Sequence, residues 1–332
     1  MSIAGKDIRL LVAGRQFGQI VEYLEAFIPG VRVNMADPLE LLDYIEDTHI
    51  LIPAAARIAE DVFSSANKLK LVQQWGSNLD GVAVDAASRR GIPVANVPSA
   101  ETGSADSVAE WCVMTAICLS RHIQDCKSHG VIGKDWSLPL GRILFGRTAG
   151  LIGIGDTGRA LAARLRAFGM RIAAIRMSSG QVSPKEPDIE EIGDRSKLPR
   201  LLSMSDYLFI MTPLTESTRH MIGQDELSFL PYGAMIINPS AAAIIEQEAM
   251  KTALNQGGIG GISMDTYWED APEPDDPFLT SPRTLVTPNI AGVTDAAYER
   301  IASTVAENIR RAMHGKIPLY CVNKHAAAKL RH

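Results

Sequence analysis

Short apolar runs alternate along the chain with stretches whose apolar residues recur every three to four positions. That is the pattern of buried parallel strands separated by amphipathic helices. Near the N-terminus the strand candidates are Ile8–Ala13, Val31–Met35, Ile50–Pro53, Leu69–Trp75 and Pro93–Val97, with helical periodicity in Phe17–Phe27 and Pro38–Asp47. A longer helix covers Ser104–Arg121. A second strand series follows: Thr148–Ile154, Arg171–Arg176, Tyr207–Met211, Ala234–Asn238, Gly261–Asp265 and Thr284–Thr287, before a last helix over Asp295–His314. The alternation predicts an α/β protein with parallel sheets flanked by helices.

At 332 residues and 46% hydrophobic composition the chain can bury two cores, so two domains are expected. A net charge of −5 leaves no basic face, which argues against nucleic-acid or membrane-surface partners. The sequence shows neither a bilayer-spanning run nor a signal-peptide core, and a cytoplasmic protein is expected. Cys112, Cys118 and Cys126 lie in or near one helix and Cys321 lies far away; this spacing suits neither a metal site nor a disulfide framework.

The strand candidate ending at Ile154 runs into Gly153-Ile154-Gly155-Asp156-Thr157-Gly158, after which Leu161, Leu165 and Phe168 recur at helical spacing and Gly169 stops the helix. In a strand, turn and helix of this kind, the first glycine allows the tight turn and the second admits a pyrophosphate to the backbone. The third lets helix and strand pack, and the helix N-terminus offers N–H donors to the anion. Dinucleotide binding is therefore expected, with Asp156 and Thr157 opening the helix at the cofactor. The next strand ends in Arg176, where a carboxylate would accept the adenosine ribose hydroxyls, and Ser178 follows close behind. Arginine cannot accept those bonds but can pair with a 2′-phosphate, so NADP is expected in preference to NAD. The plainer alternative is a solvated strand-end arginine beside an indifferent pocket.

Several segments occur together in a telling order: KLVQQWGSNLDGVAVDAASRRGIPVANVP, SVAE at Ser107–Glu110, the glycine fingerprint, PLTESTRHMIG, INPS, SMDTYW and TPNIAGVT. In order and spacing the chain resembles the D-2-hydroxyacid dehydrogenases. The resemblance implies a Rossmann-like NAD(P)-binding domain, residues 100–294, inserted in a flavodoxin-like substrate domain of residues 1–99 plus 295–332. It also implies a homodimer acting on a small molecule, with Pro213, Thr218, Ser240 and Asp265 joining the cofactor site. Trp75, Gly76, Ser77 and Asn78 take the place of the loop whose N–H groups meet the substrate carboxylate. Asn78 stands for a usual glycine, and asparagine tolerates a positive φ.

That family's chemistry uses an arginine to clamp the substrate, a histidine to move a proton and a carboxylate to orient the histidine. On the same alignment these positions hold Ala241, Asn289 and Asp270. Asparagine can donate a hydrogen bond to a carbonyl oxygen but cannot carry a proton at neutral pH. A positioned general acid–base is worth about 10²–10⁴ in rate, so ordinary 2-keto acids are expected to be poor substrates. Three readings follow: an atypical oxidoreductase acting on a neutral or aromatic carbonyl or hydroxy compound, a lyase or isomerase assisted by the cofactor, or a dinucleotide-dependent binding protein. Tyr267 and Trp268 either stack on a ring or pack internally, and His220 is expected at the surface.

Overall fold

The computed structural model of the chain describes residues 8–54, 56–79, 81–126, 140–177, 189–268 and 272–327. The chain divides into two compact units, Met1–Gly103 with Thr294–His332, and Ser104–Val293. The first boundary falls at Gly103, past residue 99, because a short helix over Ser99–Thr102 extends the first unit. Gly103 ends that helix at φ 68°, a left-handed conformation that glycine adopts without a Cβ penalty.

In the first unit, β1 (Arg9–Ala13), β2 (Arg32–Ala36), β3 (Ile50–Ile52), β4 (Leu71–Gln73) and β5 (Val94–Ala95) form a parallel sheet in the order β2-β1-β3-β4-β5. This is the flavodoxin-like order. Successive residues of its central strands serve opposite faces. Leu11, Leu51 and Val72 pack with the helices Leu41–Ile45, Glu60–Ser65 and Val84–Arg89. Leu10, Val12, Ile50 and Leu71 pack beneath the helices Gly18–Phe27 and Asp295–Met313.

The helix Asp295–Met313 is capped by Thr294, whose hydroxyl accepts the Ala297 N–H, and carries Arg310 and Arg311 in its last turn. Its buried Asn308 bonds to Gln73 Oε1 (2.8 Å) and to both main-chain polar groups of Leu319. Beyond it the chain covers β5. Val322 donates to Val94 O (2.9 Å), and Asn323 accepts from the Val94 N–H while donating to Ile92 O.

The second unit holds β6 (Thr148–Ile152), β7 (Arg171–Arg176), β8 (Glu191–Asp194), β9 (Tyr207–Ile210), β10 (Ala234–Asn238), β11 (Ile259–Met264) and β12 (Thr284–Val286). They form a parallel sheet in the order β12-β11-β10-β9-β6-β7-β8. The strand order reverses between β6 and β9, as in a Rossmann sheet, and such a reversal opens a crevice at the strands' C-terminal ends. The helices Ser104–Ser120 and Asp156–Ala167 cover one face, and Leu198–Met204, Gln224–Phe229 and Gln247–Asn255 cover the other. The fold is thus α/β with two parallel-sheet domains. Strand β8 has no apolar run to announce it: Glu-Ile-Gly-Asp forms because it pairs along β7 at the sheet edge.

Candidate functional site

The glycine fingerprint sits at the reversal point. Gly153 has φ 105°, and a Cβ there would lie 2.7 Å from Met211 O at the end of β9. A Cβ on Gly158 would lie 2.6 Å from Gly153 O, so that position is fixed by helix–strand packing. Gly155 differs: a Cβ there would meet nothing within 4 Å, which leaves open space directly over the backbone. The helix Asp156–Ala167 starts at this opening, and its first-turn N–H groups, including those of Asp156 and Thr157, lack intrahelical acceptors. Asp156 itself pairs with Arg159 at 3.4 Å, which offsets its charge at the helix start.

A cleft of about 400 Å³ runs over these strand ends, and Gly153, Gly155, Arg176, Met177, Pro213 and Thr218 are among its walls. Open space at Gly155, a helix N-terminus and a strand-end cation fit the pyrophosphate and ribose portion of a dinucleotide. Thr218 shapes the wall: its hydroxyl donates to Pro213 O (2.8 Å) and accepts the Thr215 N–H (2.7 Å). The sequence did not point to Met177, Met211, Thr215 or Ser217, which also line the cleft; only their place just after strands would have marked them. Ser178 lies outside the described residues.

The segment after β10 is tightly cross-bonded. Ser240 donates its hydroxyl to Ile210 O (3.0 Å) and its N–H to Asn238 Oδ1 (3.0 Å), while Asn238 Nδ2 donates to Ala241 O (3.2 Å). Ala241 caps a 3-10 turn over Ala242–Ile244, and the Ala242 N–H donates to Thr266 Oγ1 (2.9 Å). The Ala242 methyl is buried in the core. His220 is exposed, with φ 50°, and its N–H reaches Ala243 O (2.8 Å).

Asp265 directly follows β11 and is 2% exposed. Its carboxylate accepts the Thr287 hydroxyl (2.6 Å), the Ile290 N–H (2.8 Å) and the Ala291 N–H (2.8 Å). Burial pushes its carboxyl above the ordinary range, and these three donors work against that shift. Asn289 sits inside the same turn at φ 57° and donates its N–H to the Asp265 main-chain O (2.6 Å). Asp270 lies outside the described residues. Tyr267 and Trp268 pack internally: the Tyr267 hydroxyl donates to Asp276 Oδ2 (2.6 Å), the Trp268 indole donates to Ile245 O (2.8 Å), and both rings meet Phe278.

In the first unit, the loop Trp75–Asn78 follows β4, and neighbouring residues take three of its carbonyls. Gly76 O accepts the Val97 N–H (2.8 Å), Ser77 O accepts Asn96 Nδ2 (2.8 Å) and Asn78 O accepts Gln74 Nε2 (2.6 Å). The positive-φ position is Gly76, at φ 106°, and not Asn78, so the loop turns two residues before the asparagine. Trp75 rests edge-on against Tyr298.

Residues 113–291 match the D-isomer specific 2-hydroxyacid dehydrogenase NAD binding domain. The chain belongs to this family. A glyoxylate reductase of Korarchaeum cryptofilum is 31% identical over 291 residues, covering 86% of this family member and 85% of the relative. A D-3-phosphoglycerate dehydrogenase of Methanocaldococcus jannaschii is 30% identical over 86% of this chain and 53% of its own length. Among solved structures, a Thermus thermophilus protein superposes with a TM-score of 0.80 at 26% identity, covering 95% of this chain and all of that one. The apo D-lactate dehydrogenase of Escherichia coli shares the fold, with a TM-score of 0.81 at 23% identity over 95% of this chain and 100% of that chain. The family member thus carries a domain for a nicotinamide dinucleotide.

Proposed function

We propose that this protein is an NADP-preferring, atypical oxidoreductase that acts on a small neutral or aromatic carbonyl or hydroxy compound. The observation that carries the reading is Arg176, which stands at the cleft where the ribose-binding carboxylate would be. The acidic residue paired with it across β8, Asp194, uses Oδ1 to hold both the N–H and the hydroxyl of Ser196. An arginine beside an acid already engaged in helix capping suits a 2′-phosphate better than ribose hydroxyls. When bound, the dinucleotide supplies or accepts the hydride.

The chain's own residues set what surrounds that chemistry. Ala241, Asn289 and Asp270 take the positions of the family's arginine, histidine and glutamate. Ala241 leaves a smaller and less polar wall than an arginine would, while the Ala242 methyl packs into the core. Asn289 donates a carboxamide N–H to the substrate oxygen, and solvent provides the proton that asparagine cannot relay. In the loop Trp75–Asn78 the Trp75 N–H is held by Gln74 Oε1 (3.1 Å), and Gly76 and Ser77 offer their backbone N–H groups to a polar substrate atom. The four cysteines are free, as suits a reducing cytoplasm. The exposed Ile143 (62%), Phe145 (70%) and Phe168 (44%) support a homodimer.

The test is a fluorescence titration with NADPH and NADH. NADPH binds more tightly, and Arg176→Ala weakens NADPH by about tenfold to a hundredfold, the worth of a charged hydrogen bond at about 1.5–3 kcal/mol, while leaving NADH unchanged. Equal affinities in the unmodified protein would remove the argument. Tight NADPH binding with no oxidation by a panel of ketones and aldehydes would favour the binding-protein reading.

A further inference from the structure

Two consecutive glutamines, Gln73 at the end of β4 and Gln74 after it, grip the loop that follows them. The peptide between Gln74 and Trp75 is held at both ends: its C=O accepts from Gln73 Nε2 (3.0 Å) and its N–H donates to Gln74 Oε1 (3.1 Å). Gln74 Nε2 also donates to Asn78 O (2.6 Å), so one carboxamide ties residue 75 to residue 78. Behind this, Gln73 Oε1 accepts from Asn308 Nδ2 (2.8 Å) on the helix Asp295–Met313. Gln73 and Asn308 are fully buried and Gln74 is 8% exposed. Leaving a buried amide group without its partner is costly, so these bonds hold the loop in one shape.

What the loop leaves over is a pair of donors. The Gly76 and Ser77 N–H groups have no acceptor among the described residues. A Cβ on Gly76 would meet nothing within 4 Å, so open space lies over this backbone. Val97 donates its N–H to Gly76 O (2.8 Å), and in a trans peptide the Ser77 N–H then points the opposite way. We propose that Gln74 is a positioning residue: its carboxamide closes the loop Trp75–Asn78 and thereby presents the Gly76 and Ser77 N–H groups to a second acceptor oxygen of the substrate, beside the carbonyl that is reduced. The proposal rests on the reading above that this loop meets a polar substrate atom.

Gln74→Met keeps the length of the side chain and removes both of its hydrogen bonds. Two probes separate positioning from general damage, because 2,3-butanedione carries a second carbonyl oxygen and benzaldehyde does not. In NADPH oxidation, Gln74→Met is expected to raise KM for 2,3-butanedione at least about fivefold, the worth of a hydrogen bond. At constant kcat this marks binding lost equally from ground and transition states. KM for benzaldehyde and affinity for NADPH are expected to stay within twofold. Hydrogen exchange at the Val97 N–H, which Gln74 does not touch, is expected to rise at least tenfold as Gly76 O leaves it.

An unchanged KM for 2,3-butanedione overturns the proposal, as does an equal rise for both carbonyls or unchanged exchange at Val97. Should Gln74→Met fail to fold, Asn96→Ala removes only the side-chain bond to Ser77 O (2.8 Å) and gives the same pattern at smaller amplitude. If the unmodified protein oxidises NADPH with neither carbonyl, the oxidoreductase reading falls and binding decides. In the NADP⁺ complex, 2,3-butanedione is then expected to shift the Gly76 and Ser77 amide signals in nuclear magnetic resonance spectra, and Gln74→Met to need at least fivefold more of it. Signals that stay in place in the unmodified protein would remove the loop's role and the proposal for Gln74 with it.

Discussion

At the residue scale, backbone conformation decides which side chains the candidate site can accept. Asn289 occupies the left-handed region at φ 57°, where asparagine, aspartate and histidine are enriched several-fold. A histidine therefore fits there without rebuilding the turn. Ala242 opens a 3-10 turn with its methyl in the core, so no glycine is required beside an arginine at Ala241. The expected outcome is that Ala241→Arg, Asp270→Glu and Asn289→His together raise glyoxylate reduction, followed by NADPH absorbance, at least a hundredfold over the unmodified protein. That is the low end of what a placed acid–base supplies, about 10²–10⁴. Each change alone does little, because an imidazole without its carboxylate and a substrate without its clamp gain nothing separately. A folded triple variant that binds NADPH yet stays inactive on glyoxylate would refute the placement of these positions.

At the element scale, the segment after β11 is stapled at both ends. Asp276 caps the helix Pro277–Thr280 and receives the Tyr267 hydroxyl and Lys251 Nζ (3.3 Å). The Tyr267 hydrogen bond, aided by the Phe278 N–H and Lys251 and opposed by burial, holds the Asp276 carboxyl below its ordinary value. A depressed folded pKa means stability present above about pH 4, the unfolded value, and lost as pH falls through the folded one. Tyr267→Phe should therefore cost about 1.5–3 kcal/mol at pH 7, a drop in Tm of several degrees, and much less near pH 3. An equal drop at both pH values would detach the effect from the carboxylate.

Strands with continuous apolar runs, such as β6, β7 and β10, were legible in the sequence, as was the glycine turn between β6 and its helix. Strand β8 was not, because an edge strand of Glu-Ile-Gly-Asp gains its identity from a neighbour. For the same reason no local pattern marks Asp265 as the anchor of a turn more than twenty residues away: Thr287, Ile290 and Ala291 become its partners only through the pairing of β11 with β12.

At the scale of the whole molecule, an exposed apolar face bears on assembly. A groove of about 200 Å³ on the second unit is walled by Ile117, Ile143, Phe145 and Phe168, and Phe145 lies so close to Gly169 that a Cβ there would come within 2.4 Å of its ring. The proposed dimer uses this apolar face. Phe145→Asp should convert dimer to monomer at micromolar concentration in sedimentation velocity while leaving NADPH affinity unchanged; a variant that stays dimeric would move the interface elsewhere. The division of the chain has a different consequence, in the order of synthesis. The first sheet depends on the helix Asp295–Met313 for one face and on residues 319–323 for its β5 edge, and the whole of Ser104–Val293 is made in between. At about 5–20 residues per second, the first five strands wait roughly ten seconds or longer on the ribosome with an uncovered face and an unpaired edge, while the later unit can already close around its own sheet. A nascent chain stalled before Leu319 would thus carry a finished nucleotide fold beside an adhesive, half-built one.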